Sequence, residues 1–261
     1  NNPSQVGAAK TYIQNDGTGL KIVNIAAAGG TNDNTVSISS GGSITQTGAI
    51  NISGAATSGL ELLGAGTYTL NGVPILAASL TGAGSLTYVN NAALTLGTVN
   101  STAGITTAGG LANVSTNAAG TLAATGAIAT SGGNVTLNSQ DALNVNGGIT
   151  AGAGSVTLKA NQDGAGAQGF SQADATTISG TGIAITVNTA AGTGTGAAVV
   201  STLTDAGALS ITTDNTAHTA GGSITRTATS ALSGTSVSLT TGTGTIGAGT
   251  GANAINLASG Q

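Results

Sequence analysis

The chain has 261 residues and a net charge of −4; only 5% of its residues are charged, 2% are aromatic, and 45 are glycine. Ordinary globular domains contain about 25% charged residues, so this composition is not that of an ordinary globular domain. Glycine does not recur at every third position, which excludes collagen, and the four basic residues are too few and too scattered for nucleic-acid binding. The lack of cysteine excludes disulfides and thiolate chemistry, and no apolar run approaches the roughly 18 residues of a membrane span.

Residues 1–31 differ slightly from the rest of the chain. They hold two of the four basic residues and the densest apolar stretch, which reads LKIVNI from Leu20 to Ile25 and is predicted to be a strand. We interpret this segment as an N-terminal cap or docking strand, with Ile22, Val23 and Ile25 as candidate assembly contacts. A first, irregular turn of the repeat that follows is the alternative.

From residue 32 onward, short segments with an apolar residue at every second position alternate with breaks rich in Gly, Asn and Ser. Such alternation puts the apolar side chains on one face of a strand, and Gly and Asn accept the backbone conformations of tight turns. The N-V-T-L-N of residues 134–138 returns as S-V-T-L-K at 155–159, 21 residues later. A repeat of about 20–28 residues fits one turn of a β-solenoid.

These patterns predict an all-β fold, a single right-handed parallel β-helix that runs continuously over residues 32–261 with roughly 10–12 turns. The second internal repeat, GGSITQT at 41–47 and GGSITRT at 221–227, favours one continuous array over separate domains. The residues predicted to point inward in the best repeat are Val135, Leu137, Leu143, Val145, Val156 and Leu158.

One stretch, residues 160–175 (ANQDGAGAQGFSQADA), breaks the rhythm and contains the only phenylalanine. We predict a loop that projects from the rod. Because solenoids carry much of their specificity in loops, Asp163, Phe170 and Asp174 are candidate contact residues. A solvated insertion without a partner is the alternative.

The recurring G-x-[VI]-x-L-x-[AN] and G-G-[SN]-[VI]-T units resemble the right-handed parallel β-helix repeats of filamentous haemagglutinin-like exoproteins and autotransporter passengers. The resemblance covers roughly residues 35–261 and is one of repeat style. It implies secretion to the bacterial cell surface and roles in adhesion, biofilm matrix or fibre formation. We therefore expect a secreted structural or adhesive protein, a subunit of an extracellular fibre or stalk, that binds copies of itself and host or matrix carbohydrate or protein and does not insert into membranes.

Two other functions use the same fold. A carbohydrate-active enzyme needs converging carboxylates, and the pair that stacking could bring onto neighbouring turns is Asp141 and Asp163. An ice-binding solenoid needs Thr-x-Thr at the same place on consecutive turns, and such triplets occur irregularly here. The lone histidine, His218, cannot make a multi-histidine metal site, so we predict no enzyme activity, catalytic residue, cofactor or metal.

The last eight residues, AINLASGQ at 254–261, read as another ordinary rung without a charged segment. Soluble solenoids cover their end turns with polar caps, so an uncapped end predicts association. In this hypothesis Ile255 and Leu257 of one subunit meet the N-terminal segment of the next, which gives an open head-to-tail homopolymer. The alternative is that the chain is an excerpt of a longer protein.

Overall fold

Short parallel strands coil into a β-solenoid of about nine turns. The structure is a computed structural model, and it describes residues 10–17, 19–27, 33–117, 120–188, 192–214, 218–247 and 255. The secondary structure of these residues consists of strands and turns, without a helix. The predicted all-β parallel solenoid is therefore confirmed.

The described residues form thirty strands. The first ten are β1 (Lys10–Asn15), β2 (Leu20–Ile22), β3 (Ile25–Ala27), β4 (Thr35–Ser40), β5 (Ser43–Gln46), β6 (Ile50–Ile52), β7 (Gly59–Gly64), β8 (Thr67–Asn71), β9 (Ile75–Leu80) and β10 (Ser85–Asn90). The next ten are β11 (Leu94–Leu96), β12 (Thr98–Val99), β13 (Thr102–Ala103), β14 (Ile105–Thr106), β15 (Ala112–Thr116), β16 (Leu122–Ala124), β17 (Ile128–Ala129), β18 (Val135–Asn138), β19 (Leu143–Val145) and β20 (Ile149–Thr150). The last ten are β21 (Val156–Ala160), β22 (Phe170–Gln172), β23 (Thr177–Gly180), β24 (Ile183–Val187), β25 (Ala198–Val200), β26 (Thr202–Asp205), β27 (Ala208–Thr212), β28 (Ile224–Arg226), β29 (Leu232–Ser233) and β30 (Ser236–Thr240).

One face of the solenoid is a ten-stranded parallel sheet in the order β2-β5-β8-β10-β15-β18-β21-β24-β27-β30. Its register partners run from Leu20 to Val237, which is 217 residues over nine intervals, or 24 residues per turn. The described part of the chain thus has slightly fewer turns than the predicted 10–12, although the mean turn length lies within the predicted 20–28 residues. At about 4.8 Å between strands, this face is about 43 Å long.

The second large sheet has sixteen strands and divides at β9. On its N-terminal side, β1, β4, β7 and β9 pair as long strands. The start of β9 then pairs with β11 through Ile75 and Leu76, and its later part pairs with β14 through Ala78 and Ser79. From this point each turn contributes one strand to the ten-stranded sheet and one to each of the two branches, so the rod has three narrow faces.

The core consists of inward side chains that stack on like residues of the next turn. Val135 lies in register with Val156, and Leu137 with Leu158. All six residues predicted to point inward are 0% exposed, which confirms that prediction. Each fully buried side chain of this kind stabilises the fold by about 1.5–3 kcal/mol, so the stability accumulates along the stack.

The second sequence repeat does not mark equivalent positions in the solenoid. Residues 43–46 lie in β5 of the ten-stranded sheet, but residues 224–226 lie in β28 of the sixteen-stranded sheet. A Gly-Gly bend followed by a short alternating strand therefore occurs at more than one corner. This repeat gives the local structure correctly but not the register.

Buried polar side chains satisfy the backbone where six consecutive strands of the ten-stranded sheet end, from β10 to β27. Thr116 Oγ1 donates to the carbonyl oxygen of Gly120 at 2.8 Å. Asn188 Nδ2 donates to the carbonyl oxygen of Thr213 at 2.9 Å, and its Oδ1 accepts from Asn161 Nδ2 at 2.7 Å. The full set at this corner is Asn90, Thr116, Ser139, Asn161, Asn188 and Thr213. These side chains replace the water that a bend in the backbone would otherwise need.

Glycine is required where the chain enters the ten-stranded sheet. A Cβ atom at Gly133 would lie 2.0 Å from the carbonyl oxygen of Gly110, and one at Gly154 would lie 2.2 Å from that of Gly133. Turns stack backbone against backbone here, and no side chain fits between them.

Candidate functional site

The predicted N-terminal docking segment forms the first described turn of the solenoid. Strands β1, β2 and β3 pair in parallel with β4, β5 and β6. The stretch predicted as one strand is two, because the chain bends between β2 and β3. Ile22 is buried, Ile25 is half-buried against the core, and Val23 is 69% exposed at the bend. A role in docking remains a prediction.

Apolar side chains at the two ends of the described stack are only partly covered. Leu20 and Ile25 at the first turn, and Val237 and Leu239 in β30, pack against the core but are not fully buried. Ile255, the predicted C-terminal contact, is also half-buried against the core, and Leu257 lies outside the described residues.

The structure corrects one member of the predicted contact loop. Phe170 is 1% exposed and lies in β22, in register with Leu143 on one side and Ala198 on the other. The glycine-rich and polar residues around Phe170 favour a loop, but the ring is a core residue and cannot contact a partner. Asp163 and Asp174 are both exposed.

The carboxylates of this loop already have partners within the chain. Asp163 Oδ1 accepts from the backbone nitrogen of Ala165 at 3.0 Å. Asp174 Oδ1 accepts from the backbone nitrogen of Thr229 at 2.8 Å. This bond and a second one from the Thr227 side chain hold the pKa of Asp174 below its ordinary value.

Asp141 and Asp163, the pair considered for catalysis, lie at the same corner of adjacent turns. The nitrogen of Asn161 donates to the carbonyl oxygen of Asp141 at 2.7 Å, and the nitrogen of Asp163 donates to that of Gln140 at 3.3 Å. His218 Nδ1 forms a hydrogen bond with Asp214 Oδ2. Within the described ranges, no group of three or more acidic or histidine side chains is arranged to hold a metal.

The most highly organised polar cluster was not predicted from the sequence. It lies under a hairpin, β12–β13, inserted between β11 and β14 at the point where the large sheet divides. The hairpin folds back over the outer side of β7 and β9. This explains why residues 35–38, 59–62 and 76–78 are buried on both sides of their strands.

Glu61, the only glutamate of the chain, lies beneath the hairpin and is 4% exposed. Its carboxylate accepts hydrogen bonds from Ser37 Oγ of β4, from Asn100 Nδ2 at 2.9 Å and from Thr102 Oγ1 at 2.6 Å. Burial raises the pKa of Glu61, but these three bonds and the positive charge of Lys10 lower it by more, so its pKa lies below the ordinary value.

The hairpin also packs through apolar and neutral polar contacts. Val99 is 0% exposed, and a Cβ atom at Gly59 would lie 2.8 Å from its Cγ2 atom, so a glycine is needed beneath it. Thr35 Oγ1 donates to Asn100 Oδ1 at 3.1 Å, and Asn100 has a φ of 52° at the hairpin tip. The sequence signal for this cluster is a charged residue inside an apolar strand, L-E-L-L at 60–63.

The outer face of the ten-stranded sheet carries an ordered column of hydroxyl and amide side chains. On six adjacent strands the same register position holds Thr45, Thr69, Thr87, Asn113, Thr136 and Thr157. The residues two positions before and after each of these, which share the outer face, are mostly Ser, Thr and Asn. The turn lengths therefore align one threonine or asparagine per turn on these six strands, and not Thr-x-Thr triplets at the same place on consecutive turns.

No protein-family model, curated protein or solved structure matches the chain. The described residues form no helix that could serve as a membrane span.

Proposed function

We propose that this chain is a structural, rod-forming element of an extracellular fibre or stalk on the bacterial surface, and that its rods join end to end. The observation that carries the proposal is the half-burial of apolar side chains in the first and last described turns, Leu20 and Ile25 in one and Val237 and Leu239 in the other. The repeat style, which resembles that of filamentous haemagglutinin-like exoproteins, supports the surface location.

The physical reason for end-to-end joining is that every turn of a solenoid stabilises its neighbours. A second rod stacked on an end turn would cover the half-buried side chains and continue the parallel ladders. The two ends differ from one another, so this contact is heterologous and produces filaments rather than closed dimers. Adhesive binding to host or matrix carbohydrate or protein would then use the sides of the fibre.

The experiment compares filament formation by variants at the end and in the middle of the rod. Val23→Asp places a charge on an exposed residue of the first turn, and Leu111→Asp places one on a 44% exposed residue of a central turn. We expect electron microscopy and sedimentation to show that Val23→Asp abolishes filaments while Leu111→Asp retains them. Deletion of residues 1–31 is expected to act like Val23→Asp. A wild-type protein that stays monomeric at high concentration would refute end-to-end joining. Filaments that are undiminished both by Val23→Asp and by the deletion would also refute it.

A second candidate function is ice binding, which is favoured by the aligned threonine column. Hydroxyl groups recur at about 4.8 Å along the rod, and along each strand alternate side chains are about 6.6 Å apart. Threonine has restricted χ1 rotamers, so such an array is largely ordered before it meets a ligand. A regular surface with few charges suits a crystalline ligand better than a single solute, which proteins bind in concave sites.

Thermal hysteresis of a freezing solution tests this candidate. Thr87→Lys and Thr136→Lys alter the column, whereas Thr95→Lys and Thr204→Lys alter outward positions on the other two faces. If the column binds ice, the wild type should show thermal hysteresis. The two column variants should lose the hysteresis, and the two variants on the other faces should keep it. Absence of hysteresis in the wild type, or equal loss from both pairs, would exclude it and leave the structural proposal unaffected.

A further inference from the structure

The hairpin β12–β13 is a small unit that pairs with itself and lies over the large sheet. Its two strands pair with each other, and the nitrogen of Gly104 donates to the carbonyl oxygen of Gly97 at 2.7 Å across its base. The hairpin is thus a self-contained unit between two glycines, and Gly104 has a φ of 66°. Such a unit can lift away from the rod by changes at its base without breaking the parallel ladders beneath it.

We propose that residues 97–104 form a hinged cover that the ionised Glu61 carboxylate holds shut, and that acid opens the cover by protonating this carboxylate. Opening exposes the outer sides of β4 and β7, which the hairpin otherwise buries. This inference does not depend on the proposed fibre function, because it concerns contacts within a single chain.

The contacts that hold the hairpin tip converge on one group. Asn100 and Thr102 belong to the hairpin, and each donates a hydrogen bond to the Glu61 carboxylate. Ser37 of β4 donates to the same carboxylate, and Asn100 Nδ2 also lies 3.0 Å from Ser37 Oγ. Hydrogen bonds to an ionised acceptor are roughly twice as strong as neutral ones, so the negative charge is the main polar fastening.

Protonation weakens this arrangement in two ways. It removes the charge that strengthens all three bonds, and it places a new O–H donor among groups that already donate. The hydroxyl groups must then reorient, and Asn100 Nδ2, which cannot accept, loses a charged partner. The contacts that do not depend on the charge are the Val99 packing and the neutral bonds that Asn100 makes with Thr35 and Ser37.

Among the side chains of the elements packed around Glu61, its carboxylate is the group that titrates in acid. Strands β4 and β9 and the hairpin carry no charged side chain, and Glu61 is the only one in β7. Strand β1 supplies Lys10, whose charge favours the carboxylate. A lysine keeps its charge in acid, so lowering the pH changes Glu61 and not its counter-ion.

The sign of the effect follows from linkage. An exposed glutamate titrates near about pH 4.3, and Glu61 under the closed hairpin titrates lower than its ordinary range. The closing contribution is complete above the open-state pKa and is lost as the pH falls through the closed-state pKa. Between these two values the opening equilibrium constant rises by up to about tenfold per pH unit.

Thiol accessibility can measure the opening directly, because the chain has no cysteine. Val99→Cys places a thiol in the buried contact under the hairpin, and Ser101→Cys places one at its exposed tip. The rate at which each thiol reacts with a disulfide reagent that is active in acid is measured at each pH. The rate for Val99→Cys divided by the rate for Ser101→Cys reports the open fraction of the cover. We expect this ratio to rise severalfold between pH 7 and pH 3.

Three further variants make the outcome decisive. In Val99→Cys combined with Glu61→Gln, the ratio is expected to be high at pH 7 and flat with pH. In Val99→Cys combined with Asp163→Asn, which removes an exposed carboxylate elsewhere, the ratio should still rise as the pH falls. Val145→Cys, buried in a distant turn, should stay unreactive and so exclude global unfolding. A flat ratio with Glu61 intact, an unchanged rise in Glu61→Gln, or a parallel rise in Val145→Cys would overturn the proposal.

Discussion

Replacement of Phe170 by alanine is expected to lower the free energy of unfolding by about 3–5 kcal/mol. The ring is 1% exposed and lies between Leu143 of the preceding turn and Ala198 of the next. A buried phenylalanine removes about 150–250 Å² from water, worth roughly 4–6 kcal/mol at about 25 cal/mol per Å². Alanine retains part of this burial, and Ala198 is too small to fill the cavity, so the two estimates agree.

Urea unfolding followed by circular dichroism measures this loss. Phe170→Leu, which keeps most of the volume, should cost less than about 1.5 kcal/mol. Gln168→Ala, exposed in the preceding loop, should stay within about 0.5 kcal/mol of the wild type. If Phe170→Ala costs less than about 1 kcal/mol, the ring is not a core residue, and the earlier interpretation of Phe170 as a surface contact regains its place.

Three further changes test other parts of the structure by the same unfolding assay. Gly133→Ala should lower the free energy of unfolding by about 1–3 kcal/mol, because its Cβ would lie 2.0 Å from the carbonyl oxygen of Gly110. Gly41→Ala should be tolerated, because a Cβ there would meet nothing within 4 Å. Equal effects of the two changes would contradict the close backbone stacking. Asn188→Ala leaves buried groups at a corner without partners and should lower the free energy of unfolding by about 2–3 kcal/mol. Asn113→Ala, on the exposed face, should lower it by less than about 0.5 kcal/mol. A similarly small decrease from both changes would argue against the polar corner. The pKa of Glu61 is lowered in the folded state, so the stability of the wild type should fall as the pH drops through the carboxylate range, and Glu61→Gln should remove that component; identical pH profiles would show that Glu61 is not held in its ionised form.

The alternation of apolar residues was sufficient to predict the core of the central turns. Val135 and Leu137 stack on Val156 and Leu158 as their shared motif indicated, because a period-2 pattern fixes which side chains face inward. A repeat whose two copies are one turn apart also fixes the register. The copies at 41–47 and 221–227 are many turns apart, and the intervening loops of different length place them on different faces.

Local composition misled the prediction where a strand was short or lay among glycines. Phe170 follows nine residues without a clear alternation, yet the turn before it places Leu143 at the right height to pair with β22. The bend after Ile22 was hidden in the same way, because Val23 and Ile25 are as apolar as the strands around them.

The sequence by itself determined the strand type, the approximate turn length and the set of inward residues, because these depend on neighbours within a few positions or one turn. Tertiary structure alone decided the contacts between residues whose separation along the chain does not follow the repeat of one turn. Asn100 meets Ser37 across 63 positions and Glu61 across 39, since the hairpin turns back over strands that precede it by three turns and two turns in the stack. A periodic pattern contains no information about such a reversal, so the buried carboxylate and its cover become visible only when the chain is folded.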